Sequence, residues 1–209
     1  MVKSKKDLNN TILIAIIFGV IAGGITSFAI SEFKAEPTEE ELIKEFYDVE
    51  NAVHISPHGL RKHMGEDPDV VLVDLRSQEE YEEEHITGAI NIPAYKDRDH
   101  SDYGAVDRIV GEFKRINTQN TNTEFIVYCY SSPCMTGRKV GKILTENDIY
   151  VKHLGIGWNE WRYFWTLWNH PHEWEITNVE DYISVGPEPG EIKKDLTGTG
   201  CPIEGGLGC

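Results

Sequence analysis

Two short runs govern what this chain can fold into: VVLVDL at 70–75 and FIVYC at 125–129. Both are apolar at consecutive positions, so neither leaves a polar face for water. A strand of that kind is covered on both sides, as in a parallel sheet. Amphipathic segments separate such runs along the chain. SQEEYEEEHI follows the first, with Ser77 as N-cap and Glu80 three residues later. Ile109, Val110, Phe113 and Ile116 mark a helix over about 105–117. Further helices fall at about 38–51, opened by Thr38 and Glu41, and after Ser56-Pro57. Others lie at 136–146 and 159–168, and short strands at AINIP and at 150–154. Strands alternating with helices predict a three-layer α/β sandwich, a mostly parallel central sheet with helices on both faces.

The ends of the 209-residue chain read differently. Residues 11–30, TILIAIIFGVIAGGITSFAI, contain no charge and no proline. About 20 apolar residues suit a helix that crosses a bilayer. Lys3, Lys5 and Lys6 precede the run and Glu32, Glu36, Glu39, Glu40 and Glu41 follow it. That bias places 1–10 in the cytoplasm and the rest of the chain on the extracytoplasmic side of the cell membrane, single-pass. A cleaved signal peptide is the competing reading, since Ser27 and Ala29 satisfy a small-x-small rule. Residues 31–52 then form a linker and helix, and 176–209 a flexible tail holding Cys201 and Cys209. The net charge of −15 argues against nucleic acid as a partner, because an acidic surface repels phosphates.

Chemistry concentrates where the second apolar run ends. In parallel sheets, sites form at the carboxyl ends of strands. Cys129 stands at such an end, and Tyr130, Ser131, Ser132, Pro133, Cys134, Met135, Thr136, Gly137 and Arg138 lead into the next helix. A loop curling back to a helix start turns backbone N–H groups inward beside the positive end of the dipole. Donors placed so lower a thiol's pKa and hold an anion, and Arg138 adds a fixed positive charge. The competing reading of Cys129 is a small buried hydrophobe. Cys134 admits two readings: a second reactive thiol, or the structural disulfide partner of Cys129. His170, His172 and Glu173 read as a surface turn, and the tryptophans at 158, 161, 165 and 168 as a packing stripe. No metal and no cofactor enter the reading.

VVLVDLRSQEEYEEEHITGAINIP at 70–93 resembles the opening signature of rhodanese-like domains. It carries Asp74 and Arg76, then Glu80-Tyr81, His85-Ile86, Gly88 to Asn91, and Pro93. IVYC at 126–129 is similar to the family's strand ending in its catalytic cysteine. LGIGWNEW resembles its closing motif, with Leu154, Gly157 and Trp161 in place. The likeness spans about 53–170, within a domain read as 53–175. It implies a sulfurtransferase, in which Cys129 takes sulfane sulfur from a small donor such as thiosulfate. The resulting persulfide passes its sulfur to a thiol or to cyanide. Asp74, Arg76, His85, Gly157 and Trp161 are then structural. Where the family has arginine five residues past the cysteine, this chain has Cys134, and Arg138 comes nine residues on. Two alternatives stay open: a non-catalytic binding module of the same fold, and thiol–disulfide redox work by Cys129 and Cys134.

Overall fold

The structure is a computed structural model that describes residues 12–21, 23 and 36–193. The chain divides into two units, 1–46 and 47–209. In the first, residues 12–21 are helical and their apolar side chains are exposed. The rest of the expected membrane run, apart from residue 23, lies outside the described residues. Among the described residues, no helix is long and apolar enough to cross a membrane. Helix α1, Glu39–Val53, starts in this unit and ends in the second. Its capping box forms: the Thr38 amide donates to Glu41 Oε2 at 2.8 Å, and the Glu41 amide to Thr38 Oγ1 at 3.2 Å.

The second unit carries the sheet. Its strands are β1 (His54–Ile55), β2 (Val70–Asp74), β4 (Ile90–Asn91), β5 (Glu124–Tyr128) and β6 (Val151–Leu154). They lie in the order β1-β6-β5-β2-β4, every neighbouring pair parallel. Helices α2 (Pro57–His63), α3 (Gln78–Glu83), α4 (Val106–Gln119) and α5 (Thr136–Thr145) connect them. Ser56 and Ser77 cap α2 and α3 by accepting from the Gly59 and Glu80 amides.

Successive side chains of a strand point to opposite faces, and β5 sorts its residues that way. Phe125, Val127 and Cys129 join one buried cluster with Ile109, Phe113, Val140 and Leu144 of α4 and α5. Ile126 and Tyr128 join the other, with Tyr81, Ile86, Leu154, Trp158, Trp161 and Trp165. Cys129 therefore continues the α4/α5 face.

Three departures from the sequence reading have physical causes. The expected helix 159–168 is two helices, α6 (Trp158–Tyr163) and α7 (Trp165–Trp168), broken at Phe164, whose φ of −127° and ψ of 42° leave the helical region. In one straight helix, residues seven apart are separated by about 10 Å along the axis. The break lets the Trp161 and Trp168 rings stack at 4.8 Å, with Trp165 edge-on to both. Second, the tail does not become irregular at 176. A 3₁₀ turn at Val179–Tyr182 leads into β7, Ile183–Ser184, which pairs antiparallel with β3, His85–Ile86. The Gly88 amide donates to Pro189 O and the Gly186 amide to Glu82 O. Residues 176–190 thus belong to the domain, held by backbone bonds that a Gly- and Pro-rich composition does not reveal. The part of the tail with Cys201 and Cys209 lies outside the described residues. Third, segment 94–104, polar in sequence, sends Tyr95 and Tyr103 into the α4/α5 cluster.

Candidate active site

The Asp74–Arg76 ion pair of the opening signature builds the frame. Arg76 grips Asp74 through Nη2 at 2.7 Å and Nε at 3.1 Å, and donates to Glu84 O at 2.7 Å. Tyr128 donates its hydroxyl to Asp74 Oδ2 at 2.6 Å and accepts from the Ile86 amide at 3.2 Å. Burial, then the Asp74 charge, pushes the Tyr128 phenol well up, so it stays a donor. His85 Nδ1 lies 2.8 Å from Tyr81 O, with its ring stacked on Tyr81. Trp161 is fully buried. These residues tie α3 and β3 to the ends of β2 and β5, directly under the loop.

Backbone contacts from α6 hold that loop. The Trp158 and Asn159 amides donate to Cys129 O and Tyr130 O, both at 2.8 Å. Gly157 is required here, because a Cβ at that position would lie 2.2 Å from the Ser131 nitrogen. The Ser132 amide donates to the Glu160 carboxylate at 3.2 Å, and the Gly157 amide to the same group at 2.9 Å. One loop N–H that an anion would use is thus already occupied. The Cys134 amide closes a turn onto Ser131 O at 2.9 Å. Tyr130 fastens the outer side by donating to Glu80 Oε2, which Ser77 also reaches.

The two sulfurs meet in the middle. Cys134 Sγ stands 3.2 Å from Cys129 Sγ and 3.3 Å from Thr136 Oγ1. Both thiols are free. Thr136, buried in the first turn of α5, also bonds the Tyr95 and Tyr103 hydroxyls at 2.8 Å each. Cys129 is only 5% exposed, and burial pushes its thiol well up. Cys134 is half-buried and moves the other way. Burial acts to raise it, but the Thr136 hydroxyl and amide, the Cys129 thiol and the Tyr130 amide together bring it below the ordinary value. The two thiols thus shift in opposite directions, Cys129 up and Cys134 down.

Cys129, Cys134, Ser131, Ser132, Gly137 and Arg138 line one cavity of about 40 Å³ with His54 and His153. Pockets that enclose drug-sized ligands run to roughly 300–1,000 Å³, so this one has room only for a very small molecule. Arg138 is exposed and donates to Ser132 O and Cys134 O at 3.4 and 3.3 Å, bracing the loop. Pro133 and Met135 face solvent outside the cavity. His153 lies under the start of α5, where a Cβ on Gly137 would sit 2.7 Å from its ring. Burial, with His54 and Arg138 nearby, lowers it to about 4, so it is neutral at pH 7. Tyr95, Tyr103, Glu160 and His153 escaped the sequence reading. Their roles arise from contacts between positions 16 to 41 residues apart, with no local motif to signal them.

The His170 turn proves more than surface decoration. Glu173 is buried and bonded to Arg61 Nη2 and His58 Nε2, both at 2.8 Å. His58, His170 and Glu173 present ligand atoms within 4.8 Å of one another. Arg61 and Lys62 already neutralise the carboxylate, which disfavours a cation there.

The model of the rhodanese-like domain matches residues 56–163, from the start of α2 to the end of α6. The chain belongs to the rhodanese-like domain family. A curated relative is the HTH-type transcriptional regulator Rv0324 of Mycobacterium tuberculosis, 31% identical over 102 residues, 49% of this chain. The match covers 37% of that regulator, so the chain corresponds to little more than a third of its length. Among solved structures, the BH2092 protein of Bacillus halodurans is 22% identical with a TM-score of 0.45, covering 59% of this chain and 81% of its own. A rhodanese with anions from E. coli is 27% identical with a TM-score of 0.28, covering 42% and 86%.

Proposed function

We propose that this rhodanese-like domain is a sulfurtransferase. It moves sulfane sulfur from a small anionic donor, through a persulfide in the 129–138 loop, to a thiol-type acceptor. One observation carries the reading: two free thiols lie 3.2 Å apart where β5 ends and α5 begins. A thiolate there attacks the outer sulfur of a donor and holds it as a persulfide, and an incoming thiol removes it. Cys129 occupies the family's nucleophile position. Thiocyanate formation from thiosulfate and cyanide tests the proposal. The intact chain forms thiocyanate, and replacing both Cys129 and Cys134 with serine abolishes it. Catalysis that persists in the double variant refutes the reading.

One observation favours a second reading, a non-catalytic binding module. Cys129 is 5% exposed with its thiol pushed up, which suits an inert core residue. Absence of thiocyanate from the intact chain would decide for it. The apolar run 11–30, with lysines ahead of it and carboxylates behind, further supports a single-pass anchor that holds the domain outside the cytoplasm. Full-length chain that stays in the membrane fraction under alkaline carbonate supports the anchor, and release from that fraction contradicts it.

A further inference from the structure

The two sulfurs line one cavity but differ in exposure. Cys129 points to the α4/α5 face, packed among Val127, Val140, Tyr95 and Tyr130. Cys134 is the more exposed of the two, and its sulfur stands against that of Cys129 at 3.2 Å.

Thr136 interacts with both thiols, and their unequal burial separates them. A hydroxyl has one proton to donate and two lone pairs to accept with. The Tyr95 and Tyr103 hydroxyls both reach Thr136 Oγ1 at 2.8 Å. Cys134 Sγ donates to Thr136 Oγ1 at 3.3 Å while it keeps its proton, and the same hydroxyl can donate to the sulfur once that proton is lost. Once ionised, Cys134 can accept from the Thr136 hydroxyl and amide, the Tyr130 amide and the Cys129 thiol, which together favour its negative charge. In the reduced protein Cys129 Sγ accepts from Cys134, and that bond turns round when Cys134 ionises.

We propose that Cys134 is the thiol that takes sulfur from the donor, and that Cys129 is the internal acceptor that closes on it. The inference rests on the sulfur-transfer reading above and assigns its steps. The Cys134 thiolate attacks the outer sulfur of a sulfane donor such as thiosulfate. A Cys134 S–S bond forms, the donor's S–S bond breaks, and its electron pair leaves with sulfite. Cys129 sulfur then attacks Cys134 Sγ. A Cys129–Cys134 disulfide forms, the persulfide bond breaks, and the Cys129 proton leaves with the terminal sulfur as hydrosulfide. The two thiols lose two electrons, and the sulfane sulfur gains them. An external dithiol reductant then reopens the disulfide. The sulfurs already stand at a separation from which such attack proceeds, about 3–3.5 Å between reacting atoms. The product is hydrosulfide, and the first thiol acceptor is part of the chain.

The test is a single turnover of the full chain with thiosulfate, read by hydrosulfide release and by mass on the peptide holding 129–138. The wild type should release one hydrosulfide per chain and close the Cys129–Cys134 disulfide. Cys129→Ser should gain one sulfur on Cys134 and release no hydrosulfide. Cys134→Ser should gain none. Sulfur that settles on Cys129 in the wild type or in Cys134→Ser overturns the inference and leaves sulfur transfer standing. A wild type that neither gains sulfur nor releases sulfite or hydrosulfide overturns both. Limiting iodoacetamide on the wild type avoids any folding effect of the variants. Cys134 should react faster than Cys129 by about tenfold or more, and the reverse order overturns the inference.

Discussion

Replacing Glu173 with glutamine tests how the last quarter of the domain is held. Glu173 follows α7 and is buried against α2, where its oxygens meet Arg61 and His58 at 2.8 Å and Lys62 at 3.5 Å. Arg61 is 3% exposed, and its guanidinium lies 5.9 and 5.8 Å from the Trp165 and Tyr182 ring centres. Glutamine keeps the shape but strips a buried guanidinium of its counter-charge, a change that costs about 3–5 kcal/mol. Proton linkage offers a separate route to the magnitude. Burial acts to raise the Glu173 carboxyl, but the His58 hydrogen bond and the Arg61 charge prevail and lower it from 4.5 to about 2. At about 1.4 kcal/mol per unit, that is about 3 kcal/mol, present above pH 4.5 and lost as the pH falls toward 2. His58 is itself lowered, chiefly by burial, so its protonation below its ordinary 6.5 also favours the unfolded chain, in the same direction. Urea unfolding at pH 7 should show Glu173→Gln about 3 kcal/mol less stable. From pH 4.5 to 2, the wild type should lose stability more steeply than the variant. A variant within about 0.5 kcal/mol of wild type, or parallel pH curves, would refute the argument.

Three further outcomes are expected. Gly157→Ala should displace the loop, because its Cβ meets Ser131 backbone at 2.2 Å; loop-thiol alkylation should change severalfold, and an unchanged rate contradicts the contact. Tyr128→Phe should cost about 1–3 kcal/mol in chemical denaturation, since it leaves a buried Asp74 oxygen and the Ile86 amide each short of a partner. The rate of Cys134 alkylation against pH should rise with a lower midpoint than that of Cys129; one shared midpoint would show that burial does not separate the two thiols.

Much of this architecture was legible because it rests on local patterns. The apolar stretch at 70–73 marks β2, and Ser56 and Ser77 stand one residue before the helices they cap. The carboxyl end of β5 was legible as a site because parallel topology leaves its loop open there. What stayed hidden depends on encounters between distant segments. β7 is two residues long and exists only because β3 offers an edge. Tyr95 and Tyr103 look like polar-loop residues until Thr136, more than 30 positions away, gathers them. Glu160 reads as one more surface carboxylate, yet it takes the Ser132 amide. The direction of Cys129 follows from strand parity, which the sequence contains. Its burial follows from those tyrosines, which a linear pattern does not expose.

Sulfite appearance during one exposure of the reduced full-length chain to excess thiosulfate, with no cyanide and no added thiol, bears most directly on the sulfur-transfer account. One sulfite per chain, lost when Cys129 and Cys134 are both serine, is the predicted result. A chain that releases none while its loop thiols remain free to alkylation would contradict it.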